Sequence, residues 1–252
     1  MSGPAPRRLV HPFTTETSCL LVPPERPEPG RRPPLLVALH GQGQDGARHR
    51  GWMGAAVPAH FASAWPDGFH KHEVRKEGSP TRIGCAWYLF TGDQPAFIAS
   101  LVEAERALWG LIDAALAELE ADPARVWLCG FSQGAYLAHC AAVRAPARVA
   151  GWVAQSGRLK LEFLRPWMAG VAGKPVLVQH GRIDPHLPPN SAETSAAALR
   201  EAGAQVTLKL YDAGHAISPA MAEDCRSWLE EREPAARARG GSAASQPRGA
   251  AP

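Results

Sequence analysis

The stretch "RVWLCGFSQGAYLAHCAAVR", Arg125 to Arg144, decides the fold. Arg125 to Cys129 is a mostly apolar run of strand length, and Ala135 to Arg144 is an alanine-rich run suited to a helix. Between them stands Gly130-Phe131-Ser132-Gln133-Gly134, a G-x-S-x-G in its required strand-to-helix setting. In such an elbow the middle residue takes a strained backbone conformation that thrusts its side chain outward. Small residues two before and two after keep neighbouring backbone from colliding. The break therefore exposes Ser132, and it sets the N–H of Gln133 at a helix N-terminus, where negative charge on an attacked carbonyl would be met. Without that setting, five residues would serve equally well as a glycine-rich turn.

A serine hydroxyl is a weak nucleophile at neutral pH, so a base and an orienting acid must stand elsewhere in the chain. After the apolar run "PVLVQH" comes "GRIDPHLP", with Asp184 four residues past His180; after "QVTLKLY" comes "DAGHAISP", with His215 four residues past Tyr211. Parallel strands would deliver both groups to the sheet edge where the elbow opens. The order Ser, Asp, His is that of α/β-hydrolases. His215 is selected from ten histidines. His186 is the rival base but follows Asp184 too closely to be oriented by it, and Asp212 is the rival acid, better suited to a local turn. His40 and His180 each precede glycine at a strand end and suit turn bracing. His70 and His72 form an H-x-H with no third ligand spaced near it, so no metal is expected.

The oxyanion needs a second donor. "LHGQGQDG", His40 to Gly46, follows the strand "LLVAL", and its Gln42 is the candidate to complete the hole with Gln133. Trp87 and Tyr88 are candidates for the wall of a substrate site, since aromatic rings offer apolar area at little rotamer cost. Phe131 reads as packing, and Trp52, Trp65 and Trp109 read as core.

Taken together, "LHGQGQDG", "AWY" (Ala86 to Tyr88), "GFSQG", "QSGRL" (Gln155 to Leu159), "HGRIDPHLP" and "YDAGHAISP" resemble, in order, the phospholipase/carboxylesterase group of α/β-hydrolases, over about Leu35 to Leu229. The resemblance implies an α/β-hydrolase fold without a large lid domain. It also implies cleavage of a carboxylic ester or thioester with no cofactor. Ala216 stands where the family often has an acidic residue, so a palmitoyl-protein substrate is not carried over. An acyltransferase using the same acyl-enzyme, or a non-catalytic binding member of the fold, is the alternative.

Outward from the elbow, "LLVALH", "RVWLC", "VAGWVAQ", "PVLVQH" and "QVTLKLY" read as strands, several continuously apolar as in a buried parallel sheet. An apolar stripe predicts a helix over Pro95 to Leu119. "NSAE" at Asn190 predicts a capped helix ending at Gly203, and a last helix starts near Ser218. Alternation of this kind gives a mainly parallel sheet with helices on both faces. "LLVPPERPEPGRRPP" reads as an edge strand with a proline-rich turn, and Gly41 to Gly51 and Pro66 to Gln94 as long loops. Residues 1–232 are expected to form a single domain with a short N-terminal extension. The small, polar stretch 233–252 is expected to be a disordered tail.

Composition restricts the partners. The chain has 252 residues, 45% hydrophobic and 20% charged, with a formal net charge of +3 that forms no basic footprint, so no nucleic acid is expected. Five cysteines in no paired spacing suit a reducing compartment. No leader or membrane span is legible, which gives a cytoplasmic expectation with no stable membrane association. The expected partner is a small-molecule acyl ester or thioester, and a homodimer is compatible with this.

Overall fold

A computed structural model of the chain describes residues 15–233. Its central strands arise from mostly apolar runs that bury both faces. In β2 (Leu35–Leu39) and β6 (Val126–Phe131) every residue is buried, as is every residue of β3 (Ala62–Pro66) and β7 (Gly151–Gln155). With β1 (Cys19–Val22), β8 (Pro175–Gly181) and β9 (Gln205–Tyr211) they form one sheet in the order β1-β3-β2-β6-β7-β8-β9. Only β1, at the edge, runs antiparallel. The remaining strands, β4 (His70–Val74) and β5 (Arg82–Ala86), form a separate antiparallel hairpin.

Successive residues of each central strand point to opposite faces. Leu35, Val37 and Leu39 of β2 join Leu128 of β6 in the core under α2 (Gln94–Glu118), α3 (Gln133–Arg144) and α5 (Asn190–Glu201). Leu36, Ala38, Trp127 and Cys129 join the opposite core under α1 (Gly46–Met53) and α6 (Pro219–Arg232). A short α4 (Leu161–Leu164) follows β7. The carboxyl ends of β2, β6, β8 and β9 therefore lie along one sheet edge, and the candidate residues follow those ends. Among the described residues no helix is long and apolar enough to cross a membrane.

Several expectations need correction. Pro66 to Gln94 is not one long loop, because it contains the β4–β5 hairpin. The sequence "HKHEV" alternates burial but carries no apolar alternation, so its strand left no periodic signal. Gly41 to Gly51 likewise contains the start of α1, a polar helix capped by Asp45, whose carboxylate accepts from the Arg48 N–H at 2.8 Å. Gly46 is required there, since a Cβ would lie 2.0 Å from the Trp65 carbonyl oxygen. Helix α5 begins with Asn190 inside it; the capping position is Pro189, and no side chain caps it. Gly203 does end it with a left-handed φ of +86°, and Ser218 caps α6 through the Met221 N–H. Trp65 and Trp109 are buried, but Trp52 is 51% exposed, on the solvent side of the amphipathically weak α1. Glu233, where the tail was expected to begin, pairs with Arg125 at 2.6 Å; residues 1–14 and 234–252 lie outside the described residues.

The two elbow glycines are needed for clearance. A Cβ on Gly130 would meet the Gly134 carbonyl oxygen at 2.2 Å, and one on Gly134 would meet that of Leu39 at 2.2 Å. Gly134→Ala should therefore destabilise the fold by about 3 kcal/mol. Gly110→Ala, at an exposed position of α2 with nothing within 4 Å of its Cβ, should stabilise it by about 0.5–1 kcal/mol. Urea denaturation midpoints of the two variants would move in opposite directions; shifts of the same sign would contradict this account of the elbow.

Candidate active site

Ser132 caps α3 with φ +52° and ψ −116°, a strained conformation for a non-glycine residue. Its backbone is held on both sides. The Ser132 N–H donates to the Gln155 carbonyl at 2.9 Å, and its own carbonyl accepts from Ala135 at 2.9 Å. That geometry leaves Oγ facing a cavity of about 630 Å³.

His215 follows β9 and Asp184 follows β8, and the structure brings both to Ser132. His215 Nε2 lies 2.8 Å from Ser132 Oγ, and His215 Nδ1 lies 2.7 Å from Asp184 Oδ2. The other carboxylate oxygen, Oδ1, accepts from the His186 and Leu187 N–H groups at 2.8 and 3.0 Å. Asp184 is 7% exposed. Burial works to raise its pKa, but the hydrogen bonds from Leu187, His215 and His186 together outweigh burial and hold it below the usual carboxylate value. The anion is thus stable in place, and its contact with Nδ1 selects the tautomer that leaves Nε2 able to accept from Ser132.

The rivals lie elsewhere. His186 contributes its backbone N–H to Asp184, and its ring stands edge-on to His215 with centroids 4.9 Å apart. Asp212 is 96% exposed at its side chain and faces Arg182. His40 braces a turn: Nδ1 is 2.7 Å from the Gly41 carbonyl, and Nε2 accepts from the Gly68 N–H at 2.8 Å. Burial lowers its pKa and keeps it neutral, as the accepted bond requires.

Gln133 opens α3, so its N–H has no intrahelical acceptor, and it lines the cavity with Ser132. Gln42 lines the cavity from the loop after β2. That loop is fastened to the hairpin. The Gly43 N–H donates to the Cys85 carbonyl and the Cys85 N–H to the Gln44 carbonyl, each at 2.8 Å, while Arg82 donates to the Gly43 carbonyl at 2.6 Å. Gln44 Oε1 accepts from the Gly41 N–H at 3.1 Å, tightening the turn just before Gln42.

Tyr88 lines the cavity, as expected of a wall residue, but Trp87 does not. Trp87 is fully buried behind the site, where Nε1 donates to the His40 carbonyl at 2.8 Å and its N–H donates to Gln133 Oε1 at 2.8 Å. Gln133 Nε2 in turn donates to the Tyr88 carbonyl at 2.9 Å. The indole therefore positions the loop after β2, while the Trp87 N–H and the Tyr88 carbonyl position the Gln133 side chain. Phe131 is packed against His215 with ring centroids 5.1 Å apart and also lines the cavity.

Sequence reading left Tyr136, Arg158, Lys160 and Phe97 unassigned, and all four line the cavity. Tyr136 was accessible to it, being one helical turn beyond Ser132. Arg158 stood within a quoted motif without a role; Lys160 and Phe97 carry no local signal.

Comparison with known proteins gives the family. The sequence profile of the Phospholipase/Carboxylesterase family matches residues 26–232. Acyl-protein thioesterase 1 of Eremothecium gossypii is 34% identical over 113 residues, covering 42% of this chain and 47% of that protein. Carboxylesterase SOBER1 of Arabidopsis thaliana is 27% identical over 146 residues, 57% of this chain and 64% of that protein. The chain thus spans about half the length of the curated relatives it matches. Among solved structures, esterase PE8 superposes with a TM-score of 0.71 at 26% identity, covering 86% of this chain and 99% of that one.

The lowered Asp184 pKa fixes a sign. Stability from the ionised carboxylate is fully present above its ordinary value of 3.8 and is lost as pH falls through the lower folded value. Asp184→Asn should therefore destabilise the protein equally at about pH 7 and pH 5, with the deficit shrinking below about pH 4. Urea titrations across that range measure it, and a deficit independent of pH would show that the charge is not what the site stabilises.

Proposed function

We propose that this chain, which belongs to the phospholipase/carboxylesterase family, is a serine hydrolase that cleaves carboxylic esters or thioesters through an acyl-enzyme on Ser132. The observation that carries the proposal is the continuous hydrogen-bonded line from Ser132 Oγ through both ring nitrogens of His215 to Asp184, at 2.8 and 2.7 Å.

Ser132 Oγ attacks the acyl carbonyl as His215 Nε2 takes its proton. The imidazolium that forms lies against the buried Asp184 carboxylate, which holds its orientation and stabilises its charge. The carbonyl oxygen becomes an oxyanion, received by the N–H groups of Gln133 and Gln42, donors fixed before reaction and so needing no reorganisation. His215 then gives the proton to the leaving alcohol or thiol. A water molecule attacks the acyl-enzyme by the same route, releasing the acid and restoring Ser132. No metal or organic cofactor enters any of these steps. The likeness to acyl-protein thioesterase 1 and to esterase PE8 supports an ester or thioester substrate, and a cavity of about 630 Å³ lies within the usual range for a small ligand.

The wild-type protein should take up a fluorophosphonate stoichiometrically and hydrolyse p-nitrophenyl butyrate. Ser132→Ala should abolish labelling and lower kcat by on the order of 10⁴-fold or more, and Asp184→Asn should lower it by about 10⁴-fold through loss of the correct tautomer. Equal labelling and turnover by Ser132→Ala and wild type would end the proposal.

A further inference from the structure

The cavity has a polarity that a plain fatty ester would not need. Its charged lining side chains are Arg158 and Lys160; no carboxylate lines it among the described residues. Both come from the segment after β7, which turns at Ser156 through a left-handed φ of 46° and runs beside the first turn of α3. A Cβ on Gly157 would lie 3.1 Å from the Ser132 carbonyl oxygen, so Arg158 emerges next to the candidate nucleophile. The segment is braced from α5, where Ser195 Oγ accepts from the Leu159 N–H at 2.9 Å.

The two cations share one carboxylate. Glu162, half exposed, accepts from Arg158 at 2.9 and 3.2 Å and from Lys160 at 2.8 Å, which leaves one positive charge unbalanced within the cluster. Lys160 is 6% exposed and gives a second hydrogen to Gln94 Oε1 at 2.8 Å, with its ammonium 5.2 Å from the Phe97 ring centroid. An ammonium has three donors, so one remains beside a cavity that Gln94 and Phe97 also line. Tyr136 also lines the cavity beside Arg158, and burial raises the pKa of its hydroxyl, which keeps its proton to donate. A nearly buried cation with an unused donor and an uncompensated charge favours an anion in the adjoining space.

The side of the site is set by the chemistry. His215 must protonate the leaving atom, so the leaving group lies towards His215, His186 and Leu187. The acyl chain then extends the other way, along Tyr88, Phe97 and Tyr136 towards the two cations.

We propose that this site takes esters or thioesters whose acyl part ends in a carboxylate, monoesters of short dicarboxylic acids, with Arg158, Lys160 and Tyr136 receiving the free carboxylate. The inference rests on the hydrolase reading above.

The test compares matched acyl chains on one leaving group: mono-p-nitrophenyl adipate against p-nitrophenyl hexanoate, and the suberate monoester against the octanoate, each corrected for uncatalysed hydrolysis. The expected result for wild type is a kcat/KM about tenfold or more in favour of the acidic ester at one length or both. In Arg158→Gln and in Lys160→Met the acidic-to-neutral ratio should fall at least about fivefold. Fluorophosphonate uptake identifies folded variants, and protection of wild-type Ser132 from the probe by free adipate or suberate gives a readout independent of turnover. Wild type that favours the neutral ester at both lengths, or folded variants that keep the wild-type ratio, would overturn the inference while leaving the hydrolase reading intact. A preference for anions seen only with a phosphate in the leaving group, as in lysophosphatidate against its neutral monoacylglycerol, would overturn it as well. Failure to cleave any of the four esters would remove both readings.

Discussion

The backbone of Ser132 is the constraint on which the rest depends. A non-glycine residue at φ +52° costs on the order of 1–3 kcal/mol and persists only where its surroundings over-determine it. Here they do. Strand β6 is buried along its whole length between β2 and β7, so the residue cannot relax by moving the strand. Helix α3 is buried on most of its surface, so it cannot relax by moving the helix. The two glycines bring carbonyl oxygens to within 2.2 Å of where side chains would otherwise stand. The strain is thus supported by the apolar cores on both faces of the sheet, and the outward aim of one hydroxyl follows from how tightly distant residues pack.

The same rigidity reaches the loop after β2 by another route. Within "HGQGQDG" only the contacts of Gly41 with His40 and Gln44 tighten the turn. The rest of its conformation comes from the β4–β5 hairpin, which bonds to Gly43 and Gln44, and from the Trp87 indole, which holds the His40 carbonyl. Trp87 and Gln133 form a closed exchange, with the Gln133 amide bonded to the backbone on either side of the Trp87–Tyr88 peptide. The donor loop, the helix that carries Ser132 and the wall residue Tyr88 are therefore one unit. Trp87 thus serves as a brace behind the cavity instead of as part of its wall.

How much of this was legible follows from what kind of signal each part leaves. Strands buried on both faces, such as Leu35–Leu39, advertise themselves as apolar runs; Asp184 could be located because it stands just past one, and His215 because it follows the alternating, half-buried β9. The elbow was legible because its steric requirement falls on two glycines within five residues. The hairpin was not, since "HKHEV" lies over the domain with polar side chains and pairs only with β5. Helix α1 was missed for a related reason, as its buried positions, Gly46, His49 and Met53, include one small and one polar residue. Trp87 was assigned to the wall by its chemistry, but burial is decided by neighbours distant in sequence, Gln133 and His40 among them. Lys160 could not have been found at all, because its importance comes from Gln94 and Phe97 on a different helix.

The charge layout of the site has a logic that the residues on either side of Ser132 share. Asp184 is buried and ionised, yet among the described residues no arginine or lysine pairs with it. Its free oxygen is satisfied by two backbone N–H groups, and His180 nearby places Nε2 on the Leu187 carbonyl at 2.8 Å. Neutral dipoles stabilise the carboxylate without cancelling its charge, so its field remains directed at the His215 ring, whose Nδ1 is 2.7 Å away. A guanidinium in that position would have held the carboxylate as firmly while cancelling that field. The cations that line the cavity, Arg158 and Lys160, come instead from the segment after β7, the neighbour of β6 on the side away from β2 and its Gln42 loop. Their placement depends on the left-handed turn at Ser156 just as the aim of the Ser132 hydroxyl depends on the one at Ser132.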